Sequence, residues 1–224
     1  MKKTSTDKSI LFVTYIMVGL FVGLMGYFGY FLQVQSETVI NNSYNARLDS
    51  FSDRIIRGEI LSNDGKVLAK TNVAEDGTEV REYPYGSLFA HVVGYSDQGK
   101  TGLESLANFY LLSSHMNLVE QAVNELSDAK NLGDQVVTTL DVGLQQAASD
   151  ALGDRRGAVV VMEPDTGKIL AMVSKPGFDP NQLSSQWESL ISGDNTEAQL
   201  LNRAAQGVYP PGSTFKIVTL LEYI

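Results

Sequence analysis

The chain has 224 residues, a formal net charge of −9 and no cysteine. An acidic chain is a poor partner for the phosphate backbone of nucleic acid, and without cysteine it has no thiolate nucleophile and no cysteine metal site. Its two histidines, His91 and His115, lie far apart in the sequence and give little basis for a zinc site or a Ser-His-Asp triad. We therefore expect no nucleic-acid partner, no metal and no cofactor.

The first predicted element is a membrane-spanning helix over residues 10–32. This stretch is almost wholly apolar and uncharged. As a helix it would be roughly 35 Å long, which is enough to cross a bilayer. Lysines occur in the tail over residues 1–9, and the next basic residue is Arg47, so the positive-inside rule predicts a cytoplasmic tail and an exported remainder. No small-residue cleavage site follows, so we expect a retained single-pass anchor in the cell membrane.

Residues 33–134 predict a small α+β module next to the membrane, together with a linking segment. Residues 59–69 favour a hairpin of two short strands around Asp64-Gly65. The apolar run over residues 88–93 is strand-like, and apolar residues recur with helical period between 103 and 111.

From residue 135 onward the pattern predicts the beginning of a second domain. A short strand over residues 136–140 leads to Asp141, a candidate N-cap for a helix that ends before Gly153. Two continuous apolar segments, residues 158–162 and 169–173, predict a hairpin covered on both faces. Trp187 is interpreted as a packing anchor for this part of the chain.

The last predicted element carries the sequence Ser213-Thr-Phe-Lys216 after a Pro-Pro-Gly turn. A serine hydroxyl becomes a good nucleophile when a base removes its proton, and a lysine three residues later lies on the same helix face. Because the prolines cannot continue a helix and residues 217–221 are apolar, we predict a buried helix that begins near Ser213. Burial would lower the pKa of Lys216, as a general base requires.

Two alternatives compete with this interpretation. The same spacing occurs from Ser5 to Lys8 and from Ser127 to Lys130, and Ser213 could simply cap its helix. In addition, residues 94–101 match the phosphate-binding loop pattern, which predicts a nucleotide hydrolase. The predicted export argues against a hydrolase, because ATP is scarce outside the cytoplasm.

Several segments, in order along the chain, resemble class B penicillin-binding proteins, which are membrane-anchored peptidoglycan D,D-transpeptidases. Residues 57–69 are similar to the family's membrane-proximal hairpin, and residues 83–104 to its pedestal signature. Residues 139–174 are similar to the opening of its transpeptidase domain, and residues 201–216 to its nucleophile segment. The pedestal match also accounts for the apparent phosphate-binding loop.

The resemblance implies a fold with one membrane helix, a pedestal or dimerisation-like module over 33–134 and the first part of a serine β-lactamase-like transpeptidase domain over 135–224. It implies that Ser213, with Lys216 as general base, attacks the D-Ala-D-Ala carbonyl of a peptidoglycan stem peptide. It also implies that β-lactams acylate Ser213. A polytopic glycan polymerase is the partner that the family implies.

The family also uses a Ser-x-Asn and a Lys-Thr-Gly motif downstream of its nucleophile. Neither follows Lys216, and the upstream matches at 43–45 and 100–102 are interpreted as coincidences. The substrate-binding residues are therefore unknown, and we expect the 224-residue chain to be an incomplete and inactive portion of the enzyme. The alternative is a non-catalytic membrane scaffold, for which Gly19 and Gly23 would permit close helix contact.

Overall fold

The computed structural model describes residues 5–36, 39, 53–117, 123–124, 126–127 and 129–223. The chain divides into two compact units, Met1–Asn45 and Ala46–Ile224. The first unit contains helix α1 (Ser5–Tyr30), which continues into a π-helical turn at Phe31–Gln35. The part Ile10–Gln35 is long and apolar enough to cross a membrane, judged by length and composition alone. The predicted apolar helix is thus confirmed, whereas its crossing and orientation stay predictions.

The second unit consists of groups of short strands followed by groups of helices. In chain order they are β1 (Ile55–Ile56), β2 (Ile60–Leu61), β3 (Val67–Val73), β4 (Glu79–Glu82), α2 (Ala90–Val93), α3 (Gly102–Leu106), α4 (Asn108–Leu111), β5 (Asn131–Leu132), β6 (Val136–Val137), α5 (Val142–Leu152), β7 (Gly157–Met162), β8 (Ile169–Lys175), α6 (Leu183–Ile191) and α7 (Lys216–Glu222). One sheet has the order β4-β3-β2-β6, while β1 pairs with β5 and β7 with β8. This is the α+β architecture that the sequence predicted.

The predicted hairpin around Asp64-Gly65 is formed by β2 and β3. These strands are antiparallel, and Ile60 lies opposite Ala69. Gly65 has a φ of +80°, which glycine adopts without strain. The Ser62 hydroxyl donates a hydrogen bond of 2.6 Å to the Asp64 carboxylate, so local turn chemistry helps to set this register.

Leu88 ends a 3₁₀ turn and residues 90–93 form helix α2, so the strand-like interpretation of this run was wrong. The segment passes from a 3₁₀ turn, Gly86–Leu88, into α2. A short apolar run fits a buried helix as well as a buried strand, because periodicity alone does not distinguish the two. Gly86 and Gly94 both have positive φ and limit the helical stretch on either side.

Helix α2 also overturns the phosphate-loop interpretation of residues 94–101. That pattern requires a strand before its first glycine, whereas α2 precedes Gly94. A Cβ atom at Gly94 would lie 2.0 Å from the Thr101 carbonyl oxygen, so the two ends of the loop are packed against each other. The nucleotide-hydrolase alternative was therefore wrong.

Two hydrophobic cores hold the region that contains α2. The first core lies among β2, β3 and α2–α4, whereas the second joins α2 to α6. Trp187 packs edge-on against Tyr95, with ring centroids 6.2 Å apart, as its predicted packing role requires. The buried residues of the first core are Ile60, Leu68, Ala69, Tyr83, Phe89, Val93, Ala107, Leu111 and Leu140. Those of the second are Ala90, Tyr95, Phe178, Leu183 and Leu190.

Helix α5 and the β7–β8 hairpin form as predicted. The Asp141 side chain accepts a hydrogen bond of 2.8 Å from the Leu144 amide and caps α5. The hairpin is antiparallel and packs against α5 through a small apolar cluster. However, Val160 and Met162 of β7 are 46% and 54% exposed. The prediction of a hairpin covered on both faces was therefore wrong for β7, because within the described residues the apolar cluster covers only its α5 side.

Candidate active site

The segment that carries Ser213 forms a 3₁₀ turn, Gly212–Phe215, followed directly by α7. Gly212 has a φ of +55°, and the Lys216 amide donates hydrogen bonds to the Ser213 and Thr214 carbonyls. Residues three apart are eclipsed in a 3₁₀ turn. The helix therefore begins where the sequence predicted, and Ser213 and Lys216 lie on one face of its first turn.

This helical segment is exposed to solvent. From Val208 to Tyr223 every residue is exposed, and Leu220 and Leu221 reach 63% and 69%. The prediction that the helix is buried was therefore wrong for this structure, because no element among the described residues packs on its apolar side. Within the described part of the chain, no hydrogen bond joins the Ser213 hydroxyl to the Lys216 amine. The turn thus supplies the spacing of the pair but not the burial on which the predicted activation of Lys216 depends.

The other two Ser-x-x-Lys sequences lack this context. Ser5 begins α1 in the first unit. Ser127 turns its hydroxyl back to the Val123 carbonyl at 2.9 Å, and Lys130 pairs with Glu79 at 2.6 Å. These partners occupy the second pair, so Ser127 and Lys130 do not resemble a nucleophile beside its base.

Of the two upstream matches to the family motifs, the structure describes only the one at residues 100–102. In the sequence Lys100-Thr-Gly102, a Cβ atom at Gly102 would lie 2.6 Å from the Val92 carbonyl oxygen, so this glycine serves the packing of α3 against α2. The Ser-x-Asn match at 43–45 lies outside the described residues. In the part of the chain that the structure describes, no group of three or more His, Asp or Glu side chains could hold a metal ion.

Two family models match this chain. The model of the penicillin binding protein A dimerisation domain matches residues 57–136. The model of the penicillin binding protein transpeptidase domain matches residues 157–222, a range that includes Ser213 and Lys216. The chain belongs to the class B penicillin-binding proteins. The family and the fold predicted from the sequence are thereby confirmed.

Curated relatives of this class B penicillin-binding protein are peptidoglycan D,D-transpeptidases. PbpA of Mycolicibacterium smegmatis is 40% identical over 190 residues, which are 77% of this chain and 38% of PbpA. MrdA of Escherichia coli K12 is 34% identical over 176 residues, which are 62% of this chain and 28% of MrdA. The chain thus spans about two fifths or less of the length of these relatives.

Solved structures agree with the same assignment. Penicillin-binding protein A of M. tuberculosis, determined as an imipenem acyl-enzyme complex, is 35% identical with a TM-score of 0.65, covering 75% of this chain and 42% of that one. The D,D-transpeptidase domain of a peptidoglycan glycosyltransferase from Eggerthella lenta is 44% identical with a TM-score of 0.62. The match covers 75% of this chain and 36% of that one.

The sequence interpretation gave no individual role to Arg203, which lies near the start of the nucleophile segment of this penicillin-binding protein. Arg203 is buried, and its guanidinium donates hydrogen bonds to the Ala198 carbonyl at 3.1 Å and the Glu197 carbonyl at 2.6 Å. Its amide donates to the Ser174 hydroxyl of β8 at 3.0 Å. Arg203 therefore folds this loop and ties it to the hairpin, and no local sequence signal identifies its contact with Ser174, which lies 29 residues earlier.

Proposed function

We propose that this chain carries the anchor and the nucleophile segment of a peptidoglycan D,D-transpeptidase. The single observation that supports this most is the transpeptidase match over residues 157–222, which includes Ser213 and Lys216 at the start of a helix. We also propose the domain boundaries: a cytoplasmic tail over 1–9, an anchor over 10–32, a pedestal and linker over 33–134, and the opening of the transpeptidase domain over 135–224.

The proposed reaction passes through an acyl-enzyme on Ser213. The Ser213 hydroxyl gives its proton to Lys216 and attacks the carbonyl carbon between the two D-alanines of a stem peptide. The amide bond breaks, and the terminal D-alanine leaves with the returned proton. An amine of a second stem peptide then attacks the ester carbonyl, forms the crosslinking amide and frees the Ser213 hydroxyl. A β-lactam ring opens in the first step and leaves Ser213 acylated.

A fluorescent penicillin tests this function directly. Membranes from cells that produce the whole protein, and not the isolated 224-residue chain, are incubated with the reagent, and the acylated residue is located by mass spectrometry of the digested protein. A covalent adduct on Ser213 supports the transpeptidase. If the protein is present in the membranes and remains unlabelled, the non-catalytic scaffold becomes the better proposal.

The proposed topology places the N-terminus in the cytoplasm and the second unit outside it. Because the chain has no cysteine, Ser5→Cys and Asp154→Cys each introduce a single reactive thiol. Asp154 is exposed on the second unit. We expect a membrane-impermeant maleimide to label Asp154→Cys in intact spheroplasts and Ser5→Cys only after lysis. The reverse pattern would show that the orientation is wrong.

The proposed partner is a polytopic glycan polymerase that contacts both the membrane helix α1 and the pedestal. Gly19 and Gly23 lie four residues apart on this helix, and small residues at that spacing let two membrane helices approach closely. We expect the double variant Gly19→Leu with Gly23→Leu to lose co-purification of the polymerase, as measured by quantitative mass spectrometry. The matched control is Val18→Leu with Val22→Leu. Equal recovery from both double variants would exclude the glycine face as the contact.

A further inference from the structure

His91 links the dimerisation region to the loop at residues 199–202, where the nucleophile segment begins. With the proton on Nε2, its ring donates a hydrogen bond of 2.7 Å to the Gln199 carbonyl. The backbone carbonyl of His91 accepts a second hydrogen bond, of 3.2 Å, from the Asn202 side-chain amide. The ring is buried and packs edge-on against Phe178, with centroids 5.3 Å apart. A single residue of α2 therefore holds this loop at two points.

Asn202 organises the turn from which the chain continues toward Ser213. Its Oδ1 atom accepts hydrogen bonds from the amides of Ala204 at 3.1 Å and Ala205 at 3.3 Å. Its carbonyl accepts another from the Gln206 amide at 2.7 Å. The side-chain amide that holds His91 and the oxygen that folds the turn belong to the same planar group. Displacing one end of the Asn202 side chain therefore moves the other.

The exit from this turn is also closely packed. A Cβ atom at Gly207 would lie 2.5 Å from the Arg203 carbonyl oxygen and 2.5 Å from the Tyr209 ring. Within the described residues, side chains become uniformly exposed from Val208 onward. The turn at Asn202 is thus the last buried support before the nucleophile.

We propose that Asn202 is a positioning residue for Ser213 and that the His91 ring, through its hydrogen bond to the Gln199 carbonyl, holds the turn at Asn202 in place. Movement of the dimerisation region is thereby transmitted to the turn that leads to Ser213. The catalytic consequence rests on the proposed transpeptidase function, whereas the structural consequence does not. The two parts are tested separately.

The structural part is tested by hydrogen exchange in the 224-residue chain. In His91→Leu we expect the amides of residues 204–206 to exchange roughly tenfold faster, as when one hydrogen bond of a buried group is lost. In His91→Gln we expect no change, because the glutamine amide can donate to the same carbonyl. Amides of β7 report whether each variant remains folded. Unchanged exchange at 204–206 in a folded His91→Leu protein would overturn the proposal.

A second measurement needs no disruptive variant. Burial lowers the pKa of His91, and the positive charge of Arg203 lowers it further, whereas the hydrogen bond to the Gln199 carbonyl opposes this shift. The residues that face the ring from the neighbouring loop, Gly177 and Phe178, are uncharged. Because the folded chain disfavours the charged ring, the stability gained by burying the neutral ring is fully present above the ordinary histidine pKa of about 6.5. This stability is lost as the pH falls from there toward the lowered value, although the Nε2–H group remains a donor.

We therefore expect residues 204–206 of the wild-type chain to lose protection between pH 7.5 and pH 5.5, after correction for intrinsic exchange rates. His91→Gln cannot titrate in this range and should keep its protection. The same loss in both proteins would overturn the role of His91, because the titrating group would then lie elsewhere.

The catalytic part is tested by the rate of acylation with a fluorescent penicillin in native membranes. We expect His91→Leu to slow the acylation step at saturating reagent and His91→Gln to restore it. If wild-type protein is never acylated, the proposed function fails while the exchange result stands. If wild-type and His91→Leu proteins are acylated equally fast although exchange differs, the positioning role fails.

Discussion

Ser213→Ala abolishes the covalent attachment of a fluorescent penicillin to the protein in its native membranes. The alanine side chain has no oxygen with which to open the β-lactam ring, so the loss is complete rather than partial. Labelled membranes are separated by electrophoresis, and the fluorescence is compared with the amount of protein in the same band. Any adduct that persists in Ser213→Ala would show that the nucleophile is a different residue.

Replacing Lys216 separates the base from the nucleophile. We expect Lys216→Ala to slow acylation about 10²–10⁴-fold, which is the usual contribution of a positioned acid or base. Lys216→Arg should be similarly impaired, because a guanidinium keeps its proton at all accessible pH values. Equal rates in wild-type and Lys216→Arg proteins would exclude a proton-accepting role for this position.

The matched control for both variants is Ser127→Ala. Ser127 has the same spacing to a lysine, but its hydroxyl bonds to the Val123 carbonyl and Lys130 pairs with Glu79. We expect wild-type acylation in this variant. Loss of labelling in Ser127→Ala would indicate that the assay responds to misfolding. Loss of labelling in Ser213→Ala would then no longer identify the nucleophile.

The isolated 224-residue chain is expected to form no adduct under the same conditions. In this chain the helix after Ser213 is exposed, and neither a Ser-x-Asn nor a Lys-Thr-Gly motif follows Lys216. Such motifs accompany Ser-x-x-Lys in penicillin-binding proteins. Acylation of Ser213 in the isolated chain would contradict this expectation.

Glu104→Gln destabilises the second unit by about 3–5 kcal/mol, the usual effect of removing one partner from a buried ion pair. The Glu104 carboxylate is fully buried and accepts hydrogen bonds from Arg57 Nε at 2.6 Å and Arg81 Nε at 2.8 Å. Arg57 also donates to the Glu104 carbonyl and to Asn108. Glutamine has nearly the same shape but no charge, so two guanidinium groups would stay buried without a counter-ion.

The measurement is urea unfolding of the full chain in detergent. Trp187 is the only tryptophan in the sequence and packs in the second core, so its fluorescence reports on this unit alone. The matched control is Glu82→Gln, which removes an exposed ion pair between Glu82 and Lys70 at 3.3 Å. This variant should leave the urea concentration at the unfolding midpoint nearly unchanged. Equal midpoints for both variants would show that the buried cluster does not stabilise the unit.

The candidate site was predictable from the sequence to the extent that it depends on local patterns. The turn residues Pro210-Pro-Gly212 and the apolar residues after Lys216 predicted where the helix begins, and the structure confirms this start. Burial was not predictable in the same way. An apolar run shows that a helix can be covered, but whether a partner element covers it depends on the rest of the fold.

The sequence by itself determined the family, the apolar helix near the N-terminus, the Asp64-Gly65 hairpin and the helix capped by Asp141. Each of these depends on residues within one element or turn, where local sterics and hydrogen bonding decide the outcome. Only the tertiary structure decided that residues 90–93 are helical and that His91 meets Gln199 and Asn202. The contacts of His91 join residues 108 and 111 positions apart, and such pairings arise from packing between elements that no local pattern encodes.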